Sequence, residues 1–317
     1  MQLGTIYPQT HIESDPGAVR QYGQAVEDLG FGHILAFDHV VGANTASRPG
    51  WDKPYDLTSA FHDPFVLFSF LSAATTRLGF VSGIMILPQR QTVLVAKQTA
   101  CLDVLCGGRF RLGIGTGWNE LEYEALGVPF ERRGQLIEEQ VVVLRGLLSH
   151  EAFTFSGQYH SIPDVGLRPM PVQRPVPIWF GGGSDRPAFG DQPAREKVMR
   201  RIARLADGWI PQFRDPASER TVELLDRFRG FCREYGRNPD DVGLEVRMSL
   251  QRGSEEDWPQ EIESWRALGA THLTVNTMTA DLRRVDEHVR LLETFRTVVP
   301  ADADPDTDTD AGATGHA

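Results

Sequence analysis

R-F-R-L-G-I-G-T-G-W-N, residues 109–119, decides how the rest of the chain is read. Its apolar residues alternate, Phe110, Leu112 and Ile114, as a strand requires. Gly113, Gly115 and Gly117 then thin it out before a polar exit through Thr116 and Asn119. A strand that loses its side chains lets something approach its backbone closely. Alone, G-x-G-x-G is a weak signal and fits a tight strand-to-helix turn equally well, so its meaning depends on its surroundings.

Upstream, residues 3–8 read as an apolar strand, followed by a helical pattern with Val19, Tyr22, Val26 and Leu29 on one face and a stop at Gly30. H-I-L-A-F at 33–37 is a second strand, ending in Asp38-His39. A long loop, 41–62, carries Trp51, Tyr55 and Phe61; loops of that length in a compact domain are typically lids or binding loops. Asp63-Pro64 suits a helix start. Residues 78–87 are almost unbroken apolar and read as a strand buried on both faces. Residues 92–105 are helical, with Gly107-Gly108 at the end.

Downstream, a helical tract over 120–148 breaks near Gly127 and Pro129. At 151–177 the pattern changes to F-T-F-S-G-Q-Y-H and then to prolines, which predicts an inserted hairpin and an extended connection. Four further strands, at 177–180, 207–210, 244–250 and 272–275, alternate with helices. Eight apolar strands in this alternation predict a (β/α)8 TIM barrel, one domain over 1–299, with an inserted segment before the fifth strand. The rival, an open doubly wound sheet, places G-x-G-x-x-G on its first strand with an acidic residue about 20 positions on, and neither condition is met.

Composition narrows the function classes. Of 317 residues, 41% are hydrophobic and 24% charged, with no apolar run long enough to span a membrane. The net charge of −11 argues against nucleic acid as a partner, although Asp302, Asp304, Asp306, Asp308 and Asp310 account for five of the negatives. That acidic segment, 300–317, has almost nothing apolar to bury and is expected to be disordered. Cys101, Cys106 and Cys232 have no metal-ligand spacing, so neither a disulfide framework nor a metal site is expected. No signal-peptide pattern opens the chain, and cytoplasmic residence is the expectation.

C-terminal strand ends line the mouth of such a barrel. Polar and glycine punctuation collects there: Asp38-His39, Thr116-Gly117 with Asn119, and Gly181-Gly182-Gly183-Ser184. His39 is the side chain able to give or take a proton near neutral pH. The glycine run before a helix offers backbone N–H groups and a hydroxyl to a phosphate, with Arg195 or Arg186 as the cation; most other charges of that basic helix are expected to be solvated. Trp51, Tyr55, Trp118 and Trp179 suggest an aromatic substrate pocket.

S-G-I-M-I-L-P at 82–88, A-K-Q-T-A-C-L-D-V-L-C-G-G-R-F-R-L-G-I-G-T-G-W at 96–118, the run R-P-M-P-V-Q-R-P-V-P-I-W-F-G-G at 168–182 and A-D-G-W at 206–209 together resemble the bacterial luciferase-like superfamily. The resemblance is closest to its F420-dependent oxidoreductases. It implies a flavin or deazaflavin at the mouth, a non-proline cis peptide within 83–85 behind the ring, and Ile84, Met85 and Leu87 against the cofactor. Asp38-His39 matches the D-H pair of the F420-dependent dehydrogenases, with the histidine as acid/base. Thr116, Gly117 and Asn119 match deazaflavin contacts, so Gly115 and Gly117 would let the planar ring lie against backbone. The shorter gap from Gly117 to Asn119, without an acidic residue directly after the glycine, departs from the sugar-phosphate dehydrogenases. Coenzyme F420 is therefore the expected cofactor for hydride transfer with a small-molecule substrate. The alternatives are an FMN monooxygenase fed by a separate reductase and a non-catalytic flavin-binding barrel. Relatives form homodimers through helices of the second and third units, which the apolar face of 65–74 would permit.

Overall fold

The computed structural model describes residues 1–12, 15–185 and 192–300, with the backbone alone for 192–195. The acidic segment from residue 301 lies outside them. Strands β1 (Gln2–Ile6) and β2 (His33–Ala36) are followed by a third position split into β3 (Gly79–Ser82) and β4 (Met85–Ile86), and then by β5 (Phe110–Gly115). An antiparallel hairpin, β6 (Phe153–Ser156) and β7 (Ser161–Val165), stands apart from the ring. The ring continues with β8 (Ile178–Ser184), β9 (Gly208–Gln212), β10 (Gly243–Ser249) and β11 (His272–Asn276). β1 pairs with β11 and β3 with β5, all parallel, so the sheet closes into the (β/α)8 barrel that the alternation of strands and helices predicts. The hairpin is the insertion expected before the fifth strand position.

Around the ring lie α1 (Pro16–Asp28), α2 (Pro64–Ser72), α3 (Thr92–Leu105), α4 (Glu120–Ala125), α5 (Arg133–Ser149), α6 (Gln192–Leu205), α7 (Glu219–Glu234), α8 (Trp258–Ala267) and α9 (Val285–Val298). Their starts follow local chemistry. Asp63 Oδ1 accepts from the N–H groups of Phe65 and Val66, and Pro64 occupies the first helical position, where no N–H is needed. The tract after β5 breaks as expected: α4 ends at Ala125, Gly127 has φ 69°, and α5 begins at Arg133. None of the described helices is long and apolar enough to cross a membrane, and among the described residues no cluster could hold a metal ion. The three cysteines are free.

Two apolar layers result. Inside the ring, Ile6, Leu35, Val81, Trp179 and Ile210 pack together, with Phe37, Ile84 and Met278 against them. Between ring and helices lies a larger layer that includes Phe68, Met85, Leu87, Ile114 and Trp209. The third strand was expected unbroken over 78–87; it is interrupted between Ser82 and Met85, where the Gly83–Ile84 peptide is cis, within the expected 83–85.

The base of the barrel is charged and dry. Glu245 of β10, fully buried, accepts from His33 Nε2 of β2 at 2.9 Å and from Thr274 of β11, and pairs with Arg111 of β5 at 3.1 Å. Trp179 lies under the Arg111 guanidinium at 4.5 Å and meets the His272 ring edge-on at 5.0 Å. The structure thereby moves Trp179 from the expected substrate pocket to the opposite end, because it stands at the start of β8. Burial alone would raise the Glu245 pKa, but Arg111, His33 and Thr274 favour the carboxylate and hold it far below the usual 4.5. Burial pushes His272 down to about 3, with Arg111 adding to it, and His288 down to about 4.

These shifts act in one direction. A depressed carboxylate contributes stability in full above its unfolded pKa near 4.5 and loses it as pH falls toward the folded value. A histidine with a depressed pKa is protonated first in the unfolded chain, so His272 and His288 begin to destabilise the fold below about pH 6.5. Urea denaturation across pH 3–8 should therefore show stability declining from pH 6.5 and more steeply below 4.5. Glu245→Gln should cost about 3–5 kcal/mol at pH 7, by stranding Arg111, and should flatten the acid limb.

Candidate functional site

Ile84 and Ile86 form the floor of the mouth. Successive side chains of a strand point to opposite faces, so Ile84 and Ile86 line the open cleft while Met85 and Leu87 turn outward and are fully buried against the helices. That corrects the expectation of Met85 and Leu87 at the cofactor. The glycines of β5 and β8 are corrected too. A Cβ at Gly115 would overlap Ile84, one at Gly181 would stand 2.5 Å from Ile84 Cγ2, and one at Gly117 would stand 2.8 Å from Ile86 Cγ2. Gly117 also needs its φ of 63°, which disfavours any side chain. The glycines make room for the two isoleucines, while Gly117 and Gly181 also line the cleft.

His39, just past β2, sits on one wall. Its Nδ1 is 3.1 Å from Glu122 Oε1, which also accepts the Val40 N–H at 2.9 Å. A carboxylate only accepts, so Nδ1 carries the proton and Nε2 is left for chemistry. Glu122 is 1% exposed; burial raises its pKa, but His39, the Val40 N–H and Gln89 outweigh this and keep it below the usual carboxylate range. Aromatic rings close around the imidazole: Tyr55 at 4.5 Å, Phe61 at 4.8 Å and Trp118 at 5.8 Å. Tyr55 and Phe61 come from the long loop, which folds back on itself where Leu57 N donates to Ala43 O.

Asp38, the other member of the D-H pair, is held by structural partners. Its buried carboxylate accepts from Ile86 N at 3.0 Å and from Arg90 Nη2 at 2.7 Å, and Arg90 also reaches Asp63 at 2.9 Å. Both oxygens are engaged, so Asp38 fixes the isoleucine floor and ties it to the cap of α2. Trp51 is corrected as well: its indole N–H donates to the Tyr55 carbonyl at 3.1 Å, bracing the loop away from the cleft.

The remaining expected residues do converge. A cavity of about 130 Å³ is bounded by Asp38, His39, Tyr55, Trp118, Asn119 and Gly181 among others. It continues into a second of about 270 Å³ along Thr116, Gly117, Gly182, Gly183 and Ser184. Asn119 Oδ1 is buried without a hydrogen-bond partner, and Ser184 Oγ donates to Gln212 O at 3.3 Å. An apolar floor, an orphaned amide oxygen on the rim and a glycine-lined extension fit a planar heteroaromatic cofactor with a polar edge. The Arg195 side chain and all of Arg186 lie outside the described residues. The other arginines of α6 are not simply solvated, as expected, but paired: Arg200 with Glu196 and Glu234, Arg201 and Arg204 with Glu138.

Glu122, Ile86, Arg90 and Arg247 also belong to the site and were not singled out in the sequence. Glu122 stands among Glu120 and Glu124 on a short helix, and nothing in that run marks which carboxylate meets a histidine 83 residues away.

Two measurements check this geometry. Gly115→Ala should destabilise the fold by about 1–3 kcal/mol, with most of the loss recovered when Ile84→Ala is added; additive losses would mean the two do not share one space. Long-range ¹⁵N NMR of the ring nitrogens should find His39 as the Nδ1–H tautomer, with Glu122→Gln giving a mixture. An unchanged tautomer in that variant would remove the role given to Glu122.

A family model described as luciferase-like monooxygenase matches residues 1–290. An uncharacterized protein of Mycobacterium tuberculosis is 35% identical over 241 residues, 74% of this chain and 76% of its own length. An FMNH(2)-dependent dimethylsulfone monooxygenase of Pseudomonas putida is 35% identical over 130 residues, 40% of this chain and 36% of its own. Among solved structures, an F420-dependent secondary alcohol dehydrogenase in complex with an F420-acetone adduct has the same fold at TM-score 0.69 and 16% identity, over 93% of this chain and 99% of that one. By its barrel, its mouth and the match along nearly its whole described length, the chain belongs to the luciferase-like monooxygenase family.

Proposed function

We propose that this family member is an F420-dependent oxidoreductase, transferring a hydride between the deazaflavin and a small organic substrate. The observation that carries the reading is the His39–Glu122 pair, a proton-handling dyad enclosed by aromatic rings beside an apolar floor. When bound, a deazaflavin supplies hydride transfer at a ring carbon and lacks the flavin nitrogen of oxygen-adduct chemistry. The chain's own residues do the rest. Ile84 and Ile86 support the ring, Asn119 and Thr116 offer polar groups to its edge, and the Gly181–Ser184 segment receives the extended part of the molecule. Tyr55, Phe61 and Trp118 exclude water from around His39. His39 Nε2 gives a proton to the substrate oxygen or takes one from it, while Glu122 holds the imidazole in orientation and stabilises its protonated form.

The dimethylsulfone monooxygenase stretch supports a second reading, an FMN monooxygenase supplied by a separate reductase. Against it stands Thr116, where some FMN-using relatives carry an arginine. We also propose a homodimer through α2 and α3, whose Val66, Leu94 and Leu105 are 67%, 52% and 68% exposed.

Fluorescence titration with F420 and with FMN separates the two cofactors: the proposal expects tight F420 binding and weak FMN binding, and the reverse order would overturn it. With F420 bound, His39→Ala should cut turnover by about 10²–10⁴-fold while leaving cofactor affinity largely intact. Unchanged turnover would end the acid/base assignment.

A further inference from the structure

Beside the cofactor cleft lies a cavity of about 290 Å³ at the ends of β9, β10 and β11. Its lining includes Arg214, Arg247 and Arg252 with Ser249, Asn276 and Thr279, and among the described residues no acidic one. Gln212 and Arg247 line both this cavity and the cofactor cleft, so the two communicate. Arg247 is the group that gives the cavity its chemistry. Its Nη2 donates to the Gly83 carbonyl at 3.0 Å and its guanidinium lies 5.0 Å from the Phe37 ring. Its Nε is buried with no hydrogen-bond partner; among the described residues no carboxylate forms an ion pair with it, and Glu245, two residues back on β10, acts on it only through space. Arg214 and Arg252 have no carboxylate partner among the described residues either; Arg252 donates to the Arg214 carbonyl. The contrast with α6 is instructive, because Arg200, Arg201 and Arg204 are each matched to a glutamate. A half-buried guanidinium with a buried, unused donor is costly unless a charged acceptor arrives.

We infer that this cavity is the substrate's anion subsite, and that the substrate is a small organic acid whose carboxylate or sulfonate is held by Arg247, with Arg214 and Arg252 at the rim. The name substrate rests on the redox reading of the mouth; the anion site itself does not. Tyr55 connects the two ends. Its ring lies 4.5 Å from His39, and its hydroxyl, pushed up in pKa by burial, feels the charge of Arg247. An acid anchored at Arg247 therefore extends its remaining atoms toward the imidazole. Asn276, whose side-chain oxygen already accepts from Met278 N, keeps its NH₂ group to donate, and the Ser249 and Thr279 hydroxyls lie alongside. With the three arginines, these groups give the rim more donors than acceptors, which suits an acceptor-only head group.

The test uses cofactor-free protein, so failure of the F420 reading leaves it intact. Calorimetric titration at constant ionic strength with benzoate, its neutral counterpart benzamide, and sulfate should show benzoate and sulfate competing for one site and benzamide binding at least tenfold more weakly. Arg247→Gln should weaken benzoate binding by roughly 10- to 100-fold, as loss of a charge-assisted hydrogen bond does. Since Arg247 also braces the Gly83 carbonyl, Arg214→Gln and Arg252→Gln serve as variants that leave that brace in place; each should weaken benzoate severalfold, while Lys197→Gln on α6, outside the cavity lining, should not. Equal binding of benzoate and benzamide, or an affinity indifferent to all three arginine variants, would overturn the inference. So would displacement of bound anion by F420 or FMN, which would assign the cavity to the cofactor.

Discussion

The packing of Ile84 into the space left by Gly115 and Gly181 is the constraint on which the mouth depends. A close-packed interior tolerates neither a void nor an overlap there, so one isoleucine on the third strand dictates a missing side chain on each of two other strands. The same side chain caps the inner barrel layer of Ile6, Leu35, Val81, Trp179 and Ile210. The floor of the site is therefore the upper surface of the barrel core itself. Asp38 completes it by gripping the Ile86 amide, which fixes the next residue of the floor to the end of β2. Position of the floor and position of His39 are thus set by adjacent residues, 38 and 39, one facing each task.

Charge is distributed to match. At the base, Glu245 bonds His33 and Thr274 and is ion-paired with Arg111, and Trp179 lies under that guanidinium. On the flank, α6 is bonded to its neighbours by arginine–glutamate pairs. At the mouth, both oxygens of Asp38 and Oε1 of Glu122 are bonded, whereas Arg247 Nε has no partner. Saturated charge holds a fold together; an unsaturated cation in a cavity costs stability and is retained where something binds.

Much of the barrel was legible because its determinants are local. Apolar runs with the right period mark six of the strand positions within a residue or two, the fifth strand runs on through the glycines to Ser184, Asp63-Pro64 marks a helix start, and Gly127 marks a break. The third strand was harder, since a continuous apolar run conceals which residues face inward; only the turn of the chain at 83–84 shows that 84 and 86 face the cleft and 85 and 87 the helices. The glycines were located correctly and given the wrong neighbour, because a gap in a sequence does not say what fills it. His39 was legible from residue type and place, but Glu122 and Arg247 were not. Their meaning lies in contacts across 83 residues, to His39, and 164 residues, to Gly83, which no local pattern encodes.

The His39–Glu122 pair also bears on the direction of the proposed reaction. A histidine whose Nδ1–H is held by a carboxylate can accept a proton at Nε2, since the carboxylate stabilises the imidazolium, and it can return that proton without reorienting. Substrate oxidation needs the first step and substrate reduction the second, through the same transition state. The described geometry favours neither. Direction would then follow from the oxidation state in which the cofactor arrives and from the substrate's own potential. The dyad's contribution is a fixed proton position, flanked by Tyr55, Phe61 and Trp118, at the point where the floor of Ile84 and Ile86 meets the wall of β2.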